Sequence, residues 1–138
     1  MPAPPNIIAA WAPRALSVLR VIAALLFLEH GLQKLAGFPA PLPLPAGETV
    51  HALSLLWFAG VIEVVGGVLL TLGLFTRPVA FVLSGEMAAA YFMAHAPRGF
   101  FPVLNGGEAA ILYCFLFLYL AAAGGGTWSV DAARAGGR

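Results

Sequence analysis

Long apolar runs alternate along the chain with short segments rich in proline, glycine and charge. The first run occupies about residues 14–37; its centre, from Val21 to Leu28, carries no polar side chain, and it closes on the cluster Glu29, His30, Gln33 and Lys34. A helix crosses the hydrocarbon of a bilayer with about 20 apolar residues, so this run is long enough. Pro39, Pro41, Pro43 and Pro45 follow; each lacks the backbone donor a helix needs, which places this loop outside the hydrocarbon. The second run, about residues 50–74, is interrupted only by His51, Glu63 and small or hydroxyl residues, and Thr76, Arg77 and Pro78 mark a tight turn beyond it. A third run, about residues 78–95, starts with Pro78, which a first helical turn tolerates. After Pro97, Gly99 and Pro102, a fourth run, about residues 107–123, stops at Gly124 to Gly126. The pattern predicts an all-α protein: an integral membrane four-helix bundle with helices at about residues 14–37, 50–74, 78–95 and 107–123, forming one domain over residues 1–138. The small, polar tail from Thr127 to Arg138 is expected to be mobile.

Composition supports lipid as the solvent. Of 138 residues, 61% are hydrophobic and 9% charged, and the mean hydropathy is +0.92. That excludes an ordinary water-soluble globule, and four spans leave no room for a separate soluble domain. Seven basic and six acidic residues give a formal charge of +1, too little to neutralise phosphates, so nucleic acid is excluded as a partner. Cys114 is the single cysteine, which rules out an intrachain disulfide or a CxxC dithiol. The segment from Met1 to Pro13 carries no basic residue, and no small-residue cleavage site follows the first apolar run, so that run reads as a retained helix. Four crossings collect Arg14, Arg20, Arg77, Arg134 and Arg138 on one side and Lys34 and Arg98 on the other. Basic residues flanking short loops stay in the cytoplasm, which predicts that both termini are cytoplasmic.

The few remaining charges fall where lipid should be. An ionisable side chain near the bilayer centre costs at least roughly 2.5–3.5 kcal/mol, so each needs a partner or a wet cavity. Glu63 and Glu86 lie near the middle of the second and third runs, and Glu29 with His30 in the outer half of the first. Gly60, Glu63 and Gly67 stand at i, i+3 and i+7, which sets the carboxyl between two small residues on a face that should point into the bundle. Met87, Tyr91 and His95 share one stripe, and Glu86 shares the neighbouring one with Ala90 and Met93. For Glu63 and Glu86 an interhelical clasp and a proton-relay or ligand role stand as equal readings. Glu108 reads as part of a capping box, with Asn105 three residues before it. His30 and His95 sit toward the outer face on different helices, but the spacing gives little support to a metal or haem site, because Glu29 and His30 are adjacent and diverge by about 100° around the helix. Arg20 and Lys34, near the two ends of the first run, are expected to snorkel toward the headgroups, with an inward Arg20 facing Glu63 or Glu86 as the alternative. Trp57, Phe100, Phe101 and Trp128 read as interfacial anchors.

Several motifs in order carry a family resemblance over roughly Leu19 to Asp131. They are Arg20, Phe27, His30-Gly31, Lys34 and Gly37; Glu63, Gly66-Gly67, Gly73 and Thr76-Arg77; Gly85-Glu86-Met87, His95, Phe100-Phe101-Pro102 and Asn105-Gly106-Gly107-Glu108; and Trp128-Ser129-Val130-Asp131. In these the chain resembles the DoxX family of small four-helix bacterial membrane proteins. Ala24 stands where glycine is expected and Gly125 where proline is common. The resemblance implies a multi-pass protein of the bacterial inner (cytoplasmic) membrane. It also implies a redox neighbourhood, because the family is related to the DoxD membrane subunit of a thiosulfate:quinone oxidoreductase; it supplies no catalytic set for this chain.

The leading expectation is therefore a membrane subunit of, or partner to, a quinone-linked oxidoreductase system. Its candidate polar cavity comprises Glu29, His30, Glu63, Glu86, Tyr91 and His95: the histidines and Tyr91 would donate hydrogen bonds to a quinone carbonyl, and Glu29 or Glu63 would exchange protons. Quinone is the only cofactor so implied, a redox protein the implied partner, and the lipid bilayer the surroundings. Two rivals stand beside this reading. One is a non-catalytic scaffold that docks another protein; the other is a small transporter component, which at this length would have to form a homo-oligomer to build a path.

Overall fold

The computed structural model describes residues 7–46 and 48–136. Arg138, which counts toward the charge asymmetry, and residues 1–6 of the amino-terminal segment lie outside the described residues. Among the described residues the chain is all-helical: α1 (Ile7–Ala36), α2 (Leu55–Leu72), α3 (Thr76–Ala90), a π turn (Tyr91–His95), a 3-10 turn (Ala96–Arg98), α4 (Pro102–Asn105), α5 (Glu108–Ala123) and α6 (Val130–Gly136). Three segments are long and apolar enough to cross a membrane, Ala9–Ala36, Leu55–Leu72 and Thr76–Arg98. The fourth apolar helix, Glu108–Ala123, has 16 residues, about 24 Å at 1.5 Å per residue, which falls short of the roughly 30 Å hydrocarbon thickness.

The helix ends follow local chemistry, and they revise several expectations. α2 starts at Leu55 because Ser54 caps it, its hydroxyl accepting from the Trp57 N–H at 3.2 Å. It stops at Gly73, left-handed at φ 68°, where the Gly73 and Leu74 N–H groups return to the carbonyls of Leu70 and Leu69 in a Schellman arrangement. α3 takes its cap from far along the chain: the Asp131 carboxylate accepts from the N–H groups of Phe75 and Thr76 at 2.9 and 2.8 Å. The tail is therefore not the loose segment expected, because Val130–Gly136 is a helix and Asp131 ties it to α3. Nor do Asn105 and Glu108 form a capping box. Glu108 is the first residue of α5 and exposed, while the Asn105 side chain accepts from the Gly107 N–H at 2.8 Å and donates to the Gly99 carbonyl at 2.8 Å. The intervening Gly106 is left-handed, which ends α4 before a continuous helix can form.

Two tight helix pairs, α1 with α2 and α3 with α5, make up most of the packing, and α2 touches α3 less extensively. The α1–α2 contact depends on glycine. A Cβ at Gly31 would lie 2.8 Å from the Val64 nitrogen and 2.9 Å from the Gly60 carbonyl oxygen, so the two backbones meet at a distance no other residue permits. Between the pairs the spacing is set by aromatic rings: Phe27 of α1 packs on Phe117 and Tyr113 of α5 with ring centroids 4.8 and 5.4 Å apart. Small residues in one contact and rings in the other therefore hold the pairs close on one side and apart on another.

Arg20 neither snorkels nor meets Glu63 or Glu86. It is 1% exposed and donates only to carbonyls: Nε to Gly125 at 2.9 Å, Nη1 to Leu70 and to Thr71 at 2.7 Å, and Nη2 to Trp128. Carbonyls at the end of a helix have lone pairs that the helix leaves unused, and a guanidinium with five N–H groups is well suited to take them up together with carbonyls of the loop after α5. Arg77 does the same at the end of α5, donating to Ala121 at 3.2 Å, to Ala122 and to Ala123.

Candidate functional site

A cavity of about 450 Å³ opens between the two helix pairs. Its walls are mainly apolar, from Phe27, Ala59, Met87, Ala90 and Ala110, and its polar lining comes from His30, Lys34, Glu63, Glu86, His95 and Tyr113. Leu55, Leu56 and Met93 also line it and are exposed on the outside of the bundle, so the mouth lies between the start of α2 and the π turn.

The contribution of each helix follows from its repeat. On α1, Phe27, His30 and Lys34 are at i, i+3 and i+7 and share one face. On α3 the lining stripe is Glu86 and Ala90, continued by Met93 of the π turn. His95 joins them for a different reason. Nine residues at about 100° each would set it on the face opposite Glu86 in an unbroken α-helix. The π turn, in which the Ala96 N–H reaches back five residues to Tyr91, underwinds the helix and swings His95 toward the cavity. There its Nδ1 pairs with the Asn105 carbonyl at 3.1 Å.

Glu63 is 3% exposed, and Lys34 Nζ lies 2.8 and 2.7 Å from its two carboxylate oxygens. Lys34 thus turns inward and does not snorkel. A desolvated carboxylate is tolerable only when paired in this way. Gly60 and Gly67, also buried, flank Glu63 on the α1-facing side of α2, and the lysine stem passes over the gap left beside Gly60. Glu86 differs. Both of its carboxyl oxygens are buried, and neither has a hydrogen-bond partner among the described residues, although buried polar atoms are almost always satisfied.

Of the residues expected to form a site, His30, Glu63, Glu86 and His95 line this one cavity, and Glu29 and Tyr91 do not. Glu29 is exposed. Tyr91 stacks on His95 with centroids 6.5 Å apart and packs against Gly107, where a Cβ would lie 2.6 Å from its ring; it supports the π turn from behind. Sequence reasoning did not include Lys34 or Tyr113. The Phe27–His30–Lys34 stripe contained the signal for the lysine, whereas Tyr113 lies in an apolar run with nothing to single it out. Among the described residues no three His, Cys, Asp or Glu side chains cluster as metal ligands.

The DoxX family model matches residues 15–96, more than half of the chain. The chain belongs to the DoxX family. The matched stretch takes in α1 from residue 15 onward, the whole of α2 and α3, and the π turn, and hence three of the helices that line the cavity. This DoxX protein is 47% identical over 124 residues to an uncharacterized protein of Haemophilus influenzae, covering 88% of this chain and 91% of that one. It is 27% identical over 143 residues to an uncharacterized membrane protein of Mycobacterium tuberculosis, covering 94% of this chain and 87% of that one. No solved structure matches it. With these relatives and its apolar helices, this DoxX protein is a membrane protein.

Proposed function

We propose that this DoxX protein binds the headgroup of a lipid-dissolved quinone in the cavity between its helix pairs and serves as a membrane subunit of, or partner to, a quinone-linked oxidoreductase system. The observation that carries this reading is a polar floor inside an apolar cavity whose mouth is lined by Leu55, Leu56 and Met93. A ligand entering sideways from the bilayer with a small polar head and a long apolar tail matches that shape and chemistry. Glu63, paired with Lys34, acts as the clasp between α1 and α2. Glu86, whose two buried oxygens have no hydrogen-bond partner among the described residues, is the group that meets the ligand.

In this proposal α5 completes a fourth crossing, since it packs beside α3 through much of its length. The arginine-rich end, with Arg14, Arg77 and Arg134, then faces the cytoplasm across the inner membrane of a bacterium, and the cavity opens in the outer half. Electrons pass to or from a redox partner protein docked on this subunit.

Lipid extraction of the protein purified in mild detergent, followed by titration with a short-chain ubiquinone, tests the reading. Copurifying quinone or saturable binding that is lost on filling the cavity with Ala90→Phe is expected; no copurifying quinone and no binding would remove it.

A further inference from the structure

We infer that a second copy of this chain packs along the outer face of α1, parallel to it about an axis normal to the membrane, with the Glu29 carboxyls of the two copies meeting across that axis. The inference is independent of the quinone reading, because the residues involved lie outside the cavity lining. Glu29 is the residue that needs a partner. It precedes Gly31 by two positions, which sets it about 200° around the helix from the glycine whose backbone meets α2. It is exposed and takes no part in the cavity. Its depth follows from the register of α1 on α2. Gly31 packs against Gly60 and Val64, and Leu28 against Gly67; Glu29, between Leu28 and Gly31, is therefore level with the stretch from Val64 to Gly67, near the middle of the Leu55–Leu72 span. A carboxyl facing hydrocarbon at that depth is costly unless something pairs with it. Lys34, the closest lysine or arginine in sequence, is held by Glu63, and among the described residues no other ion pair forms.

The surroundings of Glu29 favour a second copy. Val18, Ile22, Leu25, Glu29, Leu32 and Ala36 follow one another at alternating steps of four and three, the repeat of 3.5 residues that winds two helices into a left-handed coil. From Val18 to Ala36 this seam runs about 27 Å at 1.5 Å per residue, close to the roughly 30 Å of hydrocarbon it has to cross. Leu32 is half-buried, and the other five are exposed. A β-branched residue one heptad before Glu29, at Ile22, and leucines at the alternate positions, Leu25 and Leu32, are the choices that favour two parallel strands, and a single polar layer fixes their register. Under a two-fold axis each apolar layer meets its own copy and Glu29 meets Glu29. Two carboxyls that share a proton hydrogen-bond across the axis, one donating and one accepting. A lipid tail offers the carboxyl no hydrogen bond, and an unrelated protein would have to bring a polar group at the same depth. A second copy brings one by symmetry.

The test is oxidative crosslinking of the full chain in liposomes, in a Cys114→Ala background that removes the native thiol. Ile22→Cys and Leu25→Cys are expected to give disulfide-linked dimers, and Phe115→Cys, at an exposed position on α5, none. The crosslinked fraction of the Ile22→Cys protein, followed as it is diluted into lipid, gives the dissociation constant. Adding Glu29→Val should raise that constant about tenfold, the usual scale of one interhelical polar contact in lipid, whereas Glu29→Gln, whose amide both donates and accepts, should leave it within about threefold. Thermal unfolding of the same samples verifies that each variant is folded. Absence of crosslinks at both seam positions, or crosslinks at Phe115→Cys in their place, overturns the inference. So does a folded Glu29→Val protein that dimerises as tightly as the protein with Glu29 intact.

Discussion

Replacing Lys34 should show how strongly the buried ion pair supports the α1–α2 contact. The Glu63 carboxylate is 3% exposed and the Lys34 side chain 14%, with both carboxylate oxygens within 2.8 Å of the ammonium. In Lys34→Met the aliphatic stem persists, but the carboxylate is left in an apolar contact between two helices. Removing one partner of a buried pair costs about 3–5 kcal/mol. The lower end, about 3 kcal/mol, is expected here, because hydrogen-bonded pairs in membrane interiors contribute less than their counterparts in water-soluble cores. At 1.4 kcal/mol per decade this is roughly a hundredfold in the unfolding equilibrium. Glu63→Gln should cost less, about 1–2 kcal/mol, since the lysine left behind sits near the end of α1 on a flexible stem and can turn outward to water. The double variant Lys34→Met/Glu63→Gln removes both charges and should recover to within about 1 kcal/mol of the parent, because replacing a whole pair is often near neutral. Reversible unfolding in mixed micelles, followed by tryptophan fluorescence, gives all three values. A Lys34→Met protein as stable as the parent, or a double variant whose loss equals the sum of the singles, would show that the pair is not coupled and refute this account of Glu63.

The other expectations concern the opposite end of the bundle and the helix contacts. Arg20→Lys keeps a charge but replaces the forked guanidinium by one ammonium with three N–H groups, so at least one of the carbonyls of Leu70, Thr71, Gly125 and Trp128 loses its donor from this side chain; at about 1–3 kcal/mol for an unsatisfied buried group, a loss of roughly 1–3 kcal/mol should appear in the same unfolding assay. Burial alone would raise the pKa of Asp131, but the backbone N–H groups of Thr76 and Phe75 and the Arg134 charge outweigh it and hold the carboxyl below its ordinary value of 3.8. A lowered folded-state pKa adds stability that is present above 3.8 and disappears as the pH falls through the lower folded value; thermal scans of the parent and of Asp131→Asn should therefore diverge near neutrality and converge in strong acid, and an unchanged gap would refute the cap. Gly31→Ala should separate α1 from α2 and reduce stability, because the new methyl meets backbone of α2 at 2.8 and 2.9 Å, whereas Gly85→Ala, with open space around it, should stabilise α3 by about 0.5–1 kcal/mol.

How far the site could be read in advance differs from residue to residue. The Gly60–Glu63–Gly67 stripe pointed inward on spacing alone, and those three residues are buried, because the period of a helix links sequence positions to one face whatever packs there. The partner of Glu63 was not readable. Lys34 lies 29 positions away, and its long stem is equally suited to reach water or a buried acid, so only the closeness of the α1–α2 contact decides. Arg20 shows the same limit: a basic residue near a helix end suggests snorkelling, and nothing local indicates that the end of α2 and the Gly125–Trp128 loop will surround it with carbonyls. The capping box at Asn105 failed because the Gly106-Gly107 pair allows the chain to turn between α4 and α5, and the asparagine then serves that turn.

By itself, the sequence determined that this is a membrane protein of apolar helices and which carboxyls lie inside them. Those properties follow from hydropathy, backbone donors and helical period, all of which act over a few residues. Only the tertiary structure decided that His30, Lys34, Glu63, Glu86 and His95 meet around one cavity, that a π turn brings the last of them there, and that Glu63 is paired while Glu86 is not. These depend on how closely glycines let one pair of helices approach and how far aromatic rings hold the pairs apart, which is a property of contacts between distant segments.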